Sequence, residues 1–528
     1  MKHFRLIALI AVFALVAAAC GGTADDEPTT TTAGEPAATE TTAAPATTEP
    51  AEPMADFEGT SLEAGCDYGG KIGSITAVDE LTVEFDLCSP DAAFLPKLAF
   101  DVFGIQPSEH LEATGGAPIG EPVGTGPYSL NEWVRGDSII YDRFDDYYGQ
   151  VAPHETAVLR WATESAGRLL ELQSGTVDGI TFPGTEDLET IESDPNTQLL
   201  DKPEPNIFYI GFTNTSEPWN DVNVRKAVAL GIDRQRIVDT FYPAGSETAS
   251  HFTPCSIANG CQGDSWYDFD PEAAREMLAE AGYPNGFEMS IYYRDVTRGY
   301  LPTPGDVAAD IQAQLADNLG ITAEVVVVES GEFIQTSSAG GYEDGVHLLG
   351  WTGDYPHVTN FLDFHFAESN AQFGDPYPEI FEPLAAASKL ASAEEAAPLY
   401  EEANNAIKEL VPMVAISHSA ANFAAAADVD GAYAPLWGQV KFNLWDNGTD
   451  TLVFMQGNEP ISLYCADETD GESLRACAQV VEALYSYNPA DGSVQPQLAT
   501  ECVPNDDVSN WVCSLRSGVT FHDGSAFD

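Results

Sequence analysis

Residues 348–364 read LLGWTGDYPHVTNFLDF and hold the side chains best suited to chemistry. An apolar, strand-like run (Val346, Leu348, Leu349) ends at a glycine. Trp351 follows, then Gly353, Asp354 and Tyr355 in a loop. A carboxylate at a strand end beside an indole can hold a cationic group against an aromatic wall. The same stretch also fits a core tryptophan and an aspartate that caps a turn. Other groups carry less chemistry. His347, His357 and His365 lie near Asp363, but their spacing does not put them on one helical face, so no metal site is expected. Ser417-His418-Ser419 lacks the G-x-S-x-G elbow of a hydrolase, and no catalytic residue is assigned.

The elements around this stretch belong to a chain of 528 residues, 44% apolar and 10% aromatic, enough for several domains or one large two-lobed one. With 84 acidic and 21 basic residues the formal net charge is −63, which disfavours nucleic acid and anionic membrane surfaces as partners. Where cations are this scarce, an arginine in a Gly/Tyr/Pro-rich turn stands out, and Arg298 in RGYLP is such a residue.

Residues 1–20 have a positive start (Lys2, Arg5), an apolar run and small residues before Cys20. The pattern resembles a bacterial lipoprotein signal, in which that cysteine is lipidated and anchors the chain outside the cytoplasm. Residues 21–56 are a Thr/Ala/Pro/Glu tract without Ile, Leu, Val or aromatic side chains up to Ala55, and are expected to be a disordered tether. Without Cys20, the nine cysteines leave an even set, suited to an oxidising compartment. Sequence does not settle the connectivity. The simplest pairing joins neighbours: Cys66 with Cys88, Cys255 with Cys261, Cys465 with Cys477, and Cys502 with Cys513.

Period-2 alternation over 71–78 and 81–87 predicts a hairpin, and 94–102 a helix. From about residue 206 strands and helices alternate. Asp270-Pro271 marks a helix start and Gly320 a helix end. The alternation implies an α/β lobe with a largely parallel sheet, whose ligands sit at strand carboxyl ends, where Asp354 lies. After about residue 449 come a strand (451–455), a helix (471–484) and a hairpin.

Several stretches together resemble one family, the large solute-binding proteins of peptide-type ABC transporters, most closely the dipeptide-binding branch. They are GTGPYSLNEWVRG, DVNVRKAVALGIDRQRIV, YDFDPEAAREMLAEAGY, TRGYLPTPGDVAADI, LGWTGDYPHVTNFL, PMVAISHSAANF and GVTFHDGSAFD. The resemblance implies a two-lobed, periplasmic-binding-protein-like α/β fold (type II, large peptide-binding cluster) with a hinge and an interlobe cleft. It implies lobe I over 57–206 and 431–528, and lobe II over 207–430. The TLVFMQGNEP and FHDG segments, which open the family's mature chain, stand last here, so the chain looks circularly permuted, with a truncated gene or a cut tandem as the alternative.

By the same resemblance, Asp354 receives a peptide's α-ammonium group and Arg298 its carboxylate. Trp351, Gly353, Tyr300 and Tyr355 neighbour the two charges. The family often has Asp at the position of His357, so the neighbouring pocket differs here. A zwitterion carries one charge at each end, and two opposite protein charges neutralise it without excess buried charge. The implied partners are a peptide and an importer's membrane permease; the implied state is a monomer without cofactor. The same fold could instead hold a nickel-chelate, haem or oligosaccharide. A secreted peptidase is the reading from another class, and the sequence offers it no nucleophile–base constellation.

Overall fold

The computed structural model describes residues 59–203, 205–296, 298–468 and 470–527, and its first period-2 run pairs as expected. Ile72–Asp79 folds back antiparallel on Thr82–Leu87. The signal sequence, Cys20 and the tether lie outside the described residues. The described residues form two lobes, and no helix among them is long and apolar enough to cross a membrane.

Lobe II is built on a six-stranded sheet ordered Glu247–Thr248, Met413–His418, Asn206–Gly211, Gly345–Thr352, Glu288–Tyr293, Thr322–Val327. Local chemistry starts its helices. The Asp221, Asp233 and Asp270 carboxylates each accept from a backbone N–H of the turn that follows, and Pro271 opens the third helix. The Pro304–Leu319 helix buries Val307, Ile311 and Leu315 and ends at Gly320, whose φ is 68°. The sheet is mixed rather than largely parallel. Asn206–Gly211 runs antiparallel to Gly345–Thr352 and to Met413–His418. The cause is topological: this strand begins where the chain arrives from lobe I, at the edge where its neighbours end.

Lobe I has a central seven-stranded sheet in the order Tyr128–Val134, Ser138–Arg143, Thr156–Trp161, Thr451–Gln456, Gly179–Thr181, Ala420–Ala426, Thr197–Pro203. The late strand Thr451–Gln456 thus sits inside the sheet, parallel to Thr156–Trp161 and Gly179–Thr181. A second sheet joins Ile72–Asp79 and Thr82–Leu87 to Asn510–Leu515 and Ala499–Pro504. Because Ala420–Ala426 pairs with Thr197–Pro203, the chain re-enters lobe I at Ser419, earlier than the boundary expected after residue 430.

Two helices are shorter than their sequence pattern. The one expected over 94–102 spans Phe94–Leu98, with a tight turn at Asp101–Phe103. The one expected over 471–484 spans Gly471–Cys477. Beyond it, backbone carbonyls serve the GTGP turn instead of a helix. Gly126 N donates to Val480 O at 2.9 Å and Tyr128 N to Gln479 O at 3.2 Å. Gly124 must be glycine there, since a Cβ would stand 2.1 Å from Val480 O.

The neighbouring cysteines are joined as Cys66–Cys88, Cys255–Cys261, Cys465–Cys477 and Cys502–Cys513. The cysteines are 6 to 22 residues apart in sequence, and cross-links of this kind stabilise by about 2–4 kcal/mol.

Candidate functional site

The Gly345–Thr352 strand delivers Asp354 to the edge where the lobes meet. Thr352 lies opposite Asn206, and Gly353 N donates to Pro205 O at 2.8 Å. The strand's last aromatic is fixed from both sides. The Trp351 ring stacks on Phe364 with centroids 4.1 Å apart, and its Nε1 donates to Asn360 Oδ1 at 2.7 Å. An indole N–H can only donate, so it takes the amide oxygen and leaves the Asn360 NH2 as a donor. Asp354 is partly buried; burial pushes its carboxyl up to about 6, and the nearby Asn360 amide, whose Nδ2 has no hydrogen-bond partner, opposes this.

Two aromatics from distant parts of the chain pack against the backbone of this loop. A Cβ on Gly353 would come within 2.9 Å of both Trp437 and Phe361, so glycine lets Trp437 lie against the backbone. Tyr487 donates to Pro96 O at 2.8 Å and reaches to 3.4 Å from Asp354 O. Behind them is a small hollow of about 30 Å³, lined by Asp101, Tyr433, Trp437, Lys441, Glu482 and Tyr487 among others. One Asp101 oxygen lies 3.3 Å from Lys441 Nζ, while the other is buried without a hydrogen bond. Sequence reasoning missed Trp437 and Tyr487. The one local signal was Trp437 in a Pro-Leu-Trp-Gly turn, and nothing in the spacing connects it to Asp354.

The rest of the loop faces lobe I. Lys97 pairs with Asp91 and lies over the Tyr355 ring, 5.4 Å from its centroid. Ala92 N donates to Ser388 O across the lobes at 3.3 Å. His357 caps a short helical turn, its Nδ1 accepting from Thr359 N at 3.3 Å, and burial lowers its pKa to about 4. Asp363, which the sequence offered only as a neighbour of the three histidines, is a further buried carboxyl. Burial pushes it up to about 7, Lys97 opposes this and Asp91 adds to it; its Oδ1 is buried without a hydrogen bond.

The structure brings Trp351, Gly353, Asp354 and Tyr355 together. Arg298 and Tyr300 belong to a separate tight turn, closed by Arg298 N to Leu301 O at 3.1 Å and its reverse at 3.0 Å. The turn sits at the same strand end, because Tyr300 packs on Gly350: a Cβ there would be 2.3 Å from the ring. Tyr300 itself is buried, and its hydroxyl accepts from Arg294 at 3.0 Å, so it supports the turn instead of lining the cleft. Arg298 is exposed.

His347 and His365 are buried in aromatic packing around Tyr209. Among the described residues, the one group with metal-ligand spacing is His251 with Cys255 and Cys261, and those cysteines are disulfide-bonded.

A half-buried carboxylate framed by aromatic rings at an interlobe edge is equipped to hold a cation on a small solute. Comparison with known proteins gives the class. Residues 36–373 match the family model of bacterial extracellular solute-binding proteins, family 5. The chain belongs to that family, whose members bind solutes and are not enzymes. It is similar to heme-binding protein A of Haemophilus influenzae, 31% identical over 357 residues covering 66% of this chain and 64% of the relative. It is also similar to the dipeptide-binding protein of Escherichia coli, 28% identical with 66% of each chain covered. Among solved structures, the dipeptide-binding protein of Pseudoalteromonas sp. SM9913 in complex with Met-Leu superposes with a TM-score of 0.61 at 25% identity, covering 71% of this chain and 75% of that one. The matched part is thus about two thirds of those curated relatives' length.

Proposed function

We propose that this chain captures di- or oligopeptides between its two lobes outside the cytoplasm, tethered by a lipid on Cys20, and delivers them to an ABC importer. The observation that carries the reading is Asp354: a partly buried carboxylate just past the end of a strand, with Trp437 against the neighbouring Gly353 and Tyr487 reaching the Asp354 backbone carbonyl. A peptide's α-ammonium group would pair with it, and Arg298, at the same strand end, would meet the carboxylate. Similarity to dipeptide-binding relatives supports this choice of ligand.

Native mass spectrometry of the purified chain tests it by weighing any co-purified ligand. A thermal-shift panel of di- and tripeptides follows, since a ligand at 100 times its Kd stabilises by about 2.7 kcal/mol. No shift with any peptide would count against the proposal. The similarity to a haem-binding relative supports a second reading. A Soret band from haem added to the chain, lost on Asp354→Ala, would favour it.

We also infer that the order of segments is permuted relative to the family. What supports this is the strand Thr451–Gln456 lying in the middle of a lobe I sheet between earlier strands.

A further inference from the structure

The Ser417-His418-Ser419 motif has no part in the site above, yet it lies where the chain crosses between lobes. The chain leaves lobe I between Thr197–Pro203 and Asn206–Gly211, and returns between Met413–His418 and Ala420–Ala426. At the crossing, Asn206 and Ser419 are buried and clip the two passages together. Ser419 N donates to Asn206 Oδ1 at 2.8 Å, and Asn206 Nδ2 donates to Ser419 O at 3.2 Å and Ser419 Oγ at 3.1 Å. His418 Nδ1 donates to Asn206 O at 2.6 Å. With its oxygen accepting from Asn206, the Ser419 hydroxyl spends its own proton on Gly299 O.

Gly299 follows Arg298. On the other passage, Pro205 O accepts from Gly353 N at 2.8 Å, and Gly353 precedes Asp354. The hinge therefore holds both charge-bearing turns, each by the backbone next to its charged residue. We propose that Ser419 and Asn206 are positioning residues: they set the Arg298 turn at a fixed span from Asp354 and tie that span to the hinge. This rests on the reading of the site as a peptide clamp. In its physical logic, a peptide's two termini are recognised at one separation only if the two turns share a rigid reference, and the clipped crossing supplies it.

The test compares a pool of free Ala-Xaa dipeptides with the same pool amidated at the C-terminus, by equilibrium dialysis against the full chain, Ser419→Ala and Ser419→Thr. The wild-type chain should prefer the free acids, as a charge-assisted pair requires. Ser419→Ala should cut that preference about fivefold, the size of one neutral hydrogen bond. Affinity for the amides should hold in Ser419→Ala, and Ser419→Thr, which keeps the hydroxyl, should retain the preference. If Ser419→Ala weakens both pools alike, or neither, the positioning role is overturned while the peptide reading stands. If the wild-type chain binds neither pool, both fall.

Discussion

At the scale of single residues, the account turns on carboxylates that burial holds partly protonated. Asp354 has a pKa of about 6 against an ordinary 3.8, raised by burial. The sign has two consequences. Its stability contribution is fully present below 3.8 and lost as pH rises through about 6, so the unliganded chain pays for ionising it. A ligand cation needs the ionised form, so peptide affinity should fall by up to about tenfold per pH unit below about 6. Titration calorimetry between pH 7.5 and 5 checks this, and a flat profile would contradict it. Asp363, raised to about 7 by burial, makes a sharper case because its Oδ1 lacks a hydrogen bond. Asp363→Asn should raise stability by about 1–2 kcal/mol at pH 8 and by little at pH 3.5, where the carboxyl is neutral in the folded and the unfolded chain alike. Urea midpoints at the two pH values measure it. Buried His347 and His365 act in the opposite sense. Burial lowers them to about 3 and about 4, so what they contribute is present above 6.5 and is lost as pH falls through those values.

At the scale of elements, much of lobe II was legible because its signals are local. Asp221 and Asp270 cap helices where an Asp precedes an apolar run, and Gly320 ends one with a positive φ. The Asp354 loop was legible for the same reason, as an apolar strand running into Trp-Thr-Gly-Asp. What the sequence could not show is decided by partners far away along the chain. Helix periodicity ran through residue 484, but docking of the GTGP turn on Val480 ends the helix at Cys477. The burial of Asp363, the placement of Trp437 and Tyr487 around Asp354, and the mixed sheet likewise need the fold. Tyr300, beside Arg298, could be read either as a cleft aromatic or as core, and the sequence could not foresee that it packs against Gly350 and is buried. The GTGP contact can be tested directly. Gly124→Ala places a Cβ 2.1 Å from Val480 O and should cost more than about 2 kcal/mol, loosening the segment after residue 449. Faster proteolysis and hydrogen exchange in that segment are the expected result; unchanged protection would show that the contact matters little.

For the molecule as a whole, charge is the dominant feature. A net charge of −63 over 528 residues opposes the compact state through self-repulsion. Screening shortens the reach of that repulsion from about 10 Å at 0.1 M salt to about 3 Å at 1 M. The melting temperature should therefore rise between these concentrations, by about 1–2 °C for a gain of about 1–2 kcal/mol in a chain of this size. Calorimetry in sodium chloride measures it, and a fall would mean that specific ion pairs outweigh the net charge. Among the described residues the ion pairs are partly exposed, such as Lys226 with Glu409, which argues against that outcome.

The central claim is that Asp354 pairs with a peptide's free amino terminus. The most direct measurement is a cycle of affinities: the chain and its Asp354→Asn variant, each with a peptide found bound to it and with the N-acetylated form. Either change alone should weaken binding by about tenfold or more, and the two together by little beyond either one, because both remove the same charge pair. Tight binding of the free peptide by Asp354→Asn, or equal affinity for both peptide forms, would contradict the account.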